Sequence, residues 1–478
     1  MTVQVALAKT AIPSPVRQMD ARTRAMIEGP VAPMILRLAL PNVLIMLTQA
    51  STGLIETWWV AKLGSDALAG MALVFPALML MTTFSAGALG GSISSAVARA
   101  LGGRRQSEAD ALILHAVVVN IALGLAFSAI FLVGGERIYR LMGGEGASLR
   151  AALIYSNVVF AGNVFVWLMN GLSSVIRGTG NMRFPALVTC IGAVFLIPVS
   201  PLLIFGFGPV PALGIAGGGA ALVVYYVAGT LAMAWHILSG RNPVRVAKAP
   251  LRRDLIVGLL RVGGLSALNS VQTNLVIAGT TALVASGAGL AAVAGYGTGV
   301  RLEYLLIPLV FGIGAPLIAL VATNLGAGQV ARARRIALTG AALAFVTSEA
   351  VGLVAAVFPA AWIGLFTHDS EIICYGSAYL RMVGPFYGFF GVGLALYFAS
   401  QAVGRLRWPI AGAFTRLVVA VGGGMLVLRY TGSLTALFIC MSVALAAYGL
   451  LVLIPVGLRP WIGEERAGGD SKEVRAEH

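Results

Sequence analysis

Charged side chains are scarce in this sequence, because Asp, Glu, Lys and Arg together make up only 11% of its 478 residues. Ordinary soluble domains contain about 25% charged residues, whereas 58% of this chain is hydrophobic. Such a composition cannot cover a water-exposed surface of normal polarity. A soluble enzyme, a nucleic-acid-binding module and a disordered chain are therefore excluded, and we expect an all-α integral membrane protein.

Motifs for metal binding, disulfide bonding and catalysis are also missing. The three cysteines, Cys190, Cys374 and Cys440, lie far apart within apolar runs, without metal-ligand spacing or a disulfide framework. The four histidines are dispersed, and no glycine run continues into the Lys-Ser or Lys-Thr of a phosphate-binding loop. A membrane-embedded enzyme would need clustered His, Asp or Ser, so we expect neither catalysis nor a bound cofactor or metal.

Long apolar runs fill most of the chain instead. Runs of about 20 residues or more predict about twelve membrane-spanning helices. The predicted spans cover residues 34–60, 67–98, 109–133, 150–176, 185–207, 213–238, 255–285, 290–324, 335–358, 371–402, 409–429 and 433–456. The first polar segment lacks the charged-then-apolar order of a signal peptide, so we expect no cleavage.

The basic residues indicate the orientation. The 33 Lys and Arg residues outnumber the 18 acidic residues, and most of them fall in alternate short segments between the apolar runs. Cytoplasmic loops of membrane proteins show this enrichment. Both termini and the basic stretch 240–253 are therefore predicted to be cytoplasmic, in a bacterial-type inner (cell) membrane.

The chain also repeats itself. Residues 176–185 align with residues 400–409, which places Pro185 and Pro409 224 positions apart. The same offset relates Arg37 and Arg261, Gly90 and Gly314, Leu101 and Leu325, and Tyr155 and Tyr379. With about six helices per copy, an even number, the copies share one orientation and are related by a pseudo-two-fold axis along the membrane normal.

This repeat predicts a transporter, because two like-oriented six-helix bundles suit rocking about a central site. A scaffold or receptor is the alternative. The predicted units are an N-terminal tail (1–30), an N-lobe (31–239), a linker (240–253), a C-lobe (254–456) and a C-terminal tail (457–478). Both lobes lie in one chain, so we expect a monomer.

An acidic residue, Glu56, lies within the first predicted span. An ionised carboxylate at mid-membrane costs about 2.5 to 3.5 kcal/mol on insertion scales and marks a functional site. Asn42, Gln49 and Glu56 are spaced seven residues apart, so they form one stripe that is expected to face the bundle interior. The repeat places Ser266, Thr273 and Thr280 on the equivalent stripe. We predict that Glu56 alternates between protonated and ionised states; a static pair or an interface-exposed acid is the alternative.

Further polar residues lie inside other spans. Glu349 and Arg381 have similar depths in adjacent helices and are predicted to form a buried ion pair, and Arg416 is predicted to be structural. Like Asn42 and Gln49, eight more residues are predicted to line a cavity or contact a substrate: Asn163, Asn170, Tyr226, Gln272, Asn274, Tyr296, Arg301 and Glu303. The alternatives are amides that tie helices together and tyrosines that anchor helix ends at the membrane interface. For Arg301 and Glu303, the alternative is a pair with another helix.

Several stretches, in this order, resemble the multidrug and toxic compound extrusion (MATE) transporters. They are Leu40-Pro41, Gly53-Leu54-Ile55-Glu56-Thr57-Trp58-Trp59-Val60-Ala61-Lys62-Leu63-Gly64, Arg177-Gly178-Thr179-Gly180 followed by Pro185, and Ala322-Thr323-Asn324-Leu325-Gly326-Ala327-Gly328. The resemblance covers about residues 30–456. It implies a V-shaped pair of six-helix lobes and antiport, in which cationic or amphipathic compounds leave the cell against inward flow of protons or sodium.

The chain departs from the family pattern at two places. Glu56 stands where the family usually has Asp, and the fifth-helix stretch 196–202 has Leu196 and Ser200 where many prokaryotic members carry Asn and Asp-Pro. We expect coupling to protons rather than sodium. A flippase for lipid-linked oligosaccharides or lipids, from the same broad superfamily, is the alternative, and it should show a strongly cationic cavity.

Overall fold

The computed structural model describes residues 19–247 and 250–458, and within these ranges it is helical apart from loops and an isolated bridge between Phe207 and Val210. The helices of the first half are α1 (Ala21–Glu28), α2 (Val31–Ala61), α3 (Ser65–Thr82), α4 (Gly90–Gly102), α5 (Gln106–Leu141), α6 (Gly146–Ala161), α7 (Asn163–Gly178), α8 (Arg183–Phe205) and α9 (Ile215–Leu238). Those of the second half are α10 (Arg253–Gly326), α11 (Val330–Val357), α12 (Pro359–Ile363), α13 (Ser370–Val383), α14 (Tyr387–Val403), α15 (Arg407–Leu417), α16 (Gly424–Thr431) and α17 (Leu434–Gly457). Two π-helical segments (Thr83–Leu89 and Val418–Gly423) and a 3₁₀ turn (Gly384–Phe386) connect neighbouring helices.

Ten continuous helical stretches in the described residues are long and apolar enough to cross a membrane. The bent pair α6 and α7, which meet at 48°, makes an eleventh. The 74-residue α10 is broken by non-helical backbone at Ala288 and Gly289, where Gly289 has φ +77. Dividing α10 there produces two spans, in agreement with the predicted spans 255–285 and 290–324. The predicted all-α membrane fold is confirmed.

The helices form two lobes, each with its own core. In the N-lobe, formed by α2 to α9, the core contains the fully buried side chains of Tyr155, Phe160 and Trp167. In the C-lobe, formed by α10 to α17, Tyr379 and Phe398 are buried in the same way. This second core continues across the lobe boundary to Ile35 and Ala39 on α2, so the lobes also share apolar contacts.

The lobes touch at the end that carries the basic loops. There α4 packs against the end of α10 so closely that a Cβ atom on Gly102 would overlap the carbonyl oxygen of Thr323. One on Gly326 would overlap the carbonyl oxygen of Arg99. Two glycines therefore permit the direct backbone contact that closes this end.

The surroundings of the polar stripe change further along α2. Asn42 Nδ2 donates a hydrogen bond across the lobe boundary to the carbonyl oxygen of Phe311, at 3.0 Å. Gln49, seven residues further along the same face, is exposed. From this change we infer a cleft between the lobes beyond Asn42, toward the end opposite the basic loops.

A short helix bridges the closed end. Residues 21–28 lie in the predicted N-terminal tail, yet they form α1, and Met26 is buried. The carbonyl oxygen of Met26 accepts a hydrogen bond from Asn324 Nδ2 in the C-lobe, at 3.0 Å. The Met26 side chain also packs against Gly180 in the N-lobe. α1 therefore contacts both lobes where they meet.

We predict that Gly326→Ala disturbs the closed end. The added methyl group must push α4 away from α10, whereas Gly264→Ala, on the same helix, adds a methyl group where no atom lies within 4 Å. Spin labels at positions 105 and 335, one in each lobe and both exposed, should report a second, longer distance population only in G326A, in a background without native cysteines. Identical distance distributions in G326A and the wild type would contradict the contact.

Candidate ion and substrate site

Glu56 lies inside the N-lobe, where three helices meet. Its side chain projects from α2 and is only 6% exposed. The hydroxyl of Tyr155, on α6, donates a hydrogen bond to Glu56 Oε1 at 3.0 Å. Gly218, on α9, lies against the carboxylate, because a Cβ atom there would be 3.6 Å from Oε1. The absence of a side chain at Gly218 thus leaves space beside the carboxylate.

This carboxylate has no cationic partner among the described residues. The ion pairs formed in that part of the chain are Arg105–Glu108, Arg140–Glu136, Arg252–Asp254 and Arg416–Glu303. A buried charge without a partner is costly, and binding a cation removes that cost. The geometry therefore suits a carboxyl group that binds and releases a small cation.

The polar stripe on α2 divides along its length. Asn42 contacts the C-lobe, Gln49 is exposed beyond that contact, and Glu56 turns into the N-lobe. A seven-residue spacing drifts by about 20° per step on a straight helix, and Pro41 lies within α2. Tyr226, on α9, packs against the N-lobe core, and its ring meets that of Tyr225 edge to face.

The C-lobe holds an equivalent site without this acid. Thr280 and Tyr379 stand 224 positions after Glu56 and Tyr155. The Thr280 hydroxyl lies 2.7 Å from the hydroxyl of Tyr296, and the rings of Tyr296 and Tyr379 meet edge to face, with centroids 5.1 Å apart. The repeat thus preserves a polar, tyrosine-rich site in both lobes.

A different helix position supplies an acid to the C-lobe site. Glu303 and Arg416 form a hydrogen-bonded ion pair, with side chains only 13% and 8% exposed. The guanidinium also lies 5.2 Å from the centre of the Phe390 ring. The pair lines a pocket shared with Thr280, Tyr296, Tyr304 and Tyr379. The C-lobe acid is therefore neutralised by the protein, whereas Glu56 is not.

Most of the predicted cavity-lining amides hold helices together instead. Asn163 Nδ2 donates to the carbonyl oxygen of Gly124 at 2.9 Å, and Gln272 Nε2 donates to that of Ala413. Asn170 Nδ2 donates to Ser85 Oγ at 2.8 Å. These bonds join separate helices, which is the usual role of buried amides in membranes.

Two of the other predicted residues lie at the surface. Asn274 is exposed and donates to the carbonyl oxygen of Ser270 on its own helix, at 2.8 Å. Arg301 is also exposed, and its guanidinium lies 5.2 Å from the centre of the Phe366 ring. It does not line the C-lobe pocket, although Tyr296 and Glu303 do.

The predicted ion pair between Glu349 and Arg381 is wrong. Glu349 Oε2 instead accepts a hydrogen bond from the backbone N–H of Gly388, at 2.7 Å. Gly388 lies in the first turn of α14, where N–H groups have no partner within the helix and favour a negative charge. Arg381 is exposed on α13. The two residues lie at similar depths, but their side chains do not point toward each other.

Two site residues were not predicted from the sequence. Tyr155 was noted only as a member of the repeat, and Arg416 was predicted to be structural without a partner. Tyr155 could have been found from the repeat, because a tyrosine, Tyr379, stands at the equivalent position in the second half. For Arg416 the offset leads to Gly192, so the repeat carries no signal.

Two helical lobes, a cleft between them and a buried acid define a multi-span membrane protein of the transporter class. Comparison of the sequence with known protein families supports this class. The MatE family model matches residues 41–202 and 266–426, one match in each half. The chain therefore belongs to the MatE family of transporters, and the expected family resemblance is confirmed.

Individual relatives are distant but cover most of the chain. The FAD transporter of Shewanella oneidensis is 26% identical over 399 residues, which cover 82% of this chain and 87% of the relative. The probable multidrug resistance protein YoeA of Bacillus subtilis is 25% identical over 353 residues, covering 73% and 76%. A crystal structure described as MATE in the bent conformation superposes with a TM-score of 0.85 at 23% identity, covering 92% of this chain and 98% of that one. This likeness in structure supports the two-lobe fold.

We predict that Arg416→Gln destabilises the protein by about 3 to 5 kcal/mol, because it leaves Glu303 buried without its partner. The double variant E303Q/R416Q should recover part of this loss. Arg140→Gln is the matched control, since it breaks an exposed pair with Glu136 that contributes about 0 to 1 kcal/mol. Unfolding of the detergent-solubilised protein measures each change. Equal losses in R416Q and R140Q would show that the buried pair does not form.

Proposed function

We propose that this protein is a secondary active antiporter that exports cationic or amphipathic small molecules in exchange for inward-moving protons. The observation that carries the proposal is the buried Glu56 carboxylate, which has a tyrosine donor but no cationic partner among the described residues. A carboxyl group in this setting gains most from taking up a cation. Its gain or loss of a proton can therefore favour one arrangement of the lobes over another.

The surroundings of Glu56 favour a proton over sodium. Hard cations are held by several oxygen ligands. Here the Tyr155 hydroxyl donates its hydrogen to the Glu56 carboxylate. The described residues contain no group of three or more His, Cys, Asp or Glu side chains that could hold a metal ion. One carboxylate with a hydroxyl donor suits proton exchange.

Alternating access follows from the two-lobe architecture. The cleft is closed at the basic end by the contact between α4 and α10 and open at the other end. If the basic loops face the cytoplasm, with both termini on that side, this arrangement is outward-facing. Opening the other way requires Gly102 and Gly326 to lose their contacts and α1 to leave at least one lobe.

The substrate surface combines the cleft with the C-lobe pocket. Gln49 is exposed beside the cleft, and the C-lobe pocket contains the rings of Tyr296, Tyr304 and Tyr379. Aromatic faces attract organic cations, and their size accommodates varied apolar groups. Because Arg416 already neutralises Glu303, this pocket selects by shape and aromatic contact more than by charge. Such recognition suits a set of amphipathic compounds.

A second candidate function is export of an anionic flavin nucleotide. The relative from Shewanella oneidensis carries the name FAD transporter. In this chain a buried guanidinium, that of Arg177, lines the boundary between the lobes. An unpaired positive charge on the path between the lobes favours an anionic substrate. Transport of a flavin nucleotide and transport of an organic cation are measured in the same liposomes. The compound that is transported distinguishes the two candidate functions.

We predict that Glu56→Gln abolishes proton-driven export. The amide keeps the size of the side chain but cannot exchange a proton, so efflux of ethidium from proteoliposomes under an imposed pH gradient should fall to the level of protein-free liposomes. The matched control is Glu349→Gln, which changes another acid within the spans, one bonded to the Gly388 N–H. E349Q should retain export.

A sodium gradient is imposed separately in the same liposomes. Export driven by sodium alone, or undiminished pH-driven export by E56Q, would contradict the proposed coupling. Loss of export in E349Q as well as in E56Q would show that the effect is not specific to Glu56.

A further inference from the structure

Arg177 lies at the boundary between the lobes, near the C-terminal end of α7. It is only 8% exposed, and its Nη2 donates a hydrogen bond to Ser174 Oγ at 2.8 Å. The side chain lines a small pocket that both lobes form. A charged group is thus buried on a surface that must part if the lobes separate at this end.

None of the ion pairs among the described residues includes Arg177. The other buried guanidinium of the spans, that of Arg416, is paired with Glu303. An isolated buried charge costs several kcal/mol, and charged residues within spans mark functional pathways. The contrast between the two arginines therefore indicates that Arg177 has its anionic partner only at another stage.

The repeat shows that a neutral side chain can fill the equivalent position. Gln401 stands 224 positions after Arg177, and its Nε2 donates to Ser266 Oγ at 2.7 Å. It also donates across the lobe boundary to the carbonyl oxygen of Gly87, at 3.4 Å. The fold therefore does not require a cation at this position, and the charge of Arg177 needs another explanation.

The walls of the pocket indicate what could meet that charge. On the N-lobe side it is lined by Gly87, Gly90 and Gly91, and a Cβ atom on Gly90 would lie 3.5 Å from Arg177 Nη2. On the C-lobe side the rings of Phe311 and Phe398 face it, with centroids 4.6 Å apart. The site thus presents one positive charge opposite an aromatic wall.

We propose that Arg177 binds the phosphate group of an aromatic small-molecule substrate at the basic end of the cleft. The planar guanidinium matches the geometry of phosphate oxygens, and such charge-assisted bonds are among the strongest hydrogen bonds. The inference rests on the proposed function, because the pocket is open to a substrate only when the lobes part at this end. In the closed arrangement Phe311 and Phe398 form part of the C-lobe wall of this pocket.

The test compares flavin mononucleotide with riboflavin, which has the same ring system but no phosphate. Flavin fluorescence reports equilibrium binding to the full-length protein in detergent. The wild type should bind flavin mononucleotide at least about tenfold more tightly than riboflavin. Arg177→Gln, which installs the side chain found at position 401, should bring this ratio close to one, and Arg177→Lys should retain part of it.

Arg253→Gln is the control for general loss of positive charge, because Arg253 is exposed at the start of α10 on the same end of the protein. It should leave the ratio unchanged. An undiminished preference for flavin mononucleotide in R177Q, or no preference in the wild type, would overturn the assignment. Phosphatidylglycerol is the third probe, since its phosphate lacks an aromatic ring. Equal affinity for it, lost in R177Q, would assign the site to a lipid headgroup and also overturn the proposal.

A failure of the Arg177 proposal can be distinguished from a failure of the proposed antiport. The flavin binding ratio is measured at equilibrium and without a pH gradient, so it does not depend on coupled export of ethidium. If E56Q exports ethidium normally, the antiport proposal fails, whereas the flavin binding ratio still reports on Arg177.

Discussion

The asymmetry between two buried carboxylates governs the behaviour expected of this protein. Both lobes place an acid beside buried tyrosines, but Glu303 is bound to Arg416, whereas the partner of Glu56 in the described part of the chain is the hydroxyl of Tyr155. In a low-dielectric interior the first arrangement is complete without a ligand, whereas the second gains from a mobile cation. The duplicated fold thus keeps a polar, tyrosine-rich site in each half, and the proposed cation exchange assigns a mobile cation to the N-lobe site alone.

The path for a substrate has a different origin, in the packing between the lobes. Glycines on α4 and α10 allow a backbone contact that closes the basic end, and α1 binds both lobes at that point. Apolar side chains of α2, among them Ile35 and Ala39, add to the contact between the lobes. The proposed antiport requires that a change at Glu56, deep in the N-lobe, alters which end of the cleft is open.

Much of the fold follows from the sequence for physical reasons. Apolar runs long enough to cross a bilayer predicted the spans, and the constant offset of the repeat predicted two lobes. Glu56 was identifiable because an acid within a span is rare and costly. The pairing of Glu303 with Arg416 was not, since the repeat leads from them to Met79 and Gly192. Which face of a helix a residue occupies depends on tertiary packing. For this reason Glu349 and Arg381 do not pair, and Asn163 and Gln272 hold helices together.

Infrared difference spectroscopy of the purified protein is the most direct test of the central claim, because it observes the carboxyl group itself. The account predicts a protonated-carboxyl band that diminishes when an exported compound binds, and that is missing from the difference spectrum of E56Q but present in that of E303Q. A band that is unaffected by the compound, or one that survives in E56Q, would show that Glu56 does not exchange a proton as cargo is bound.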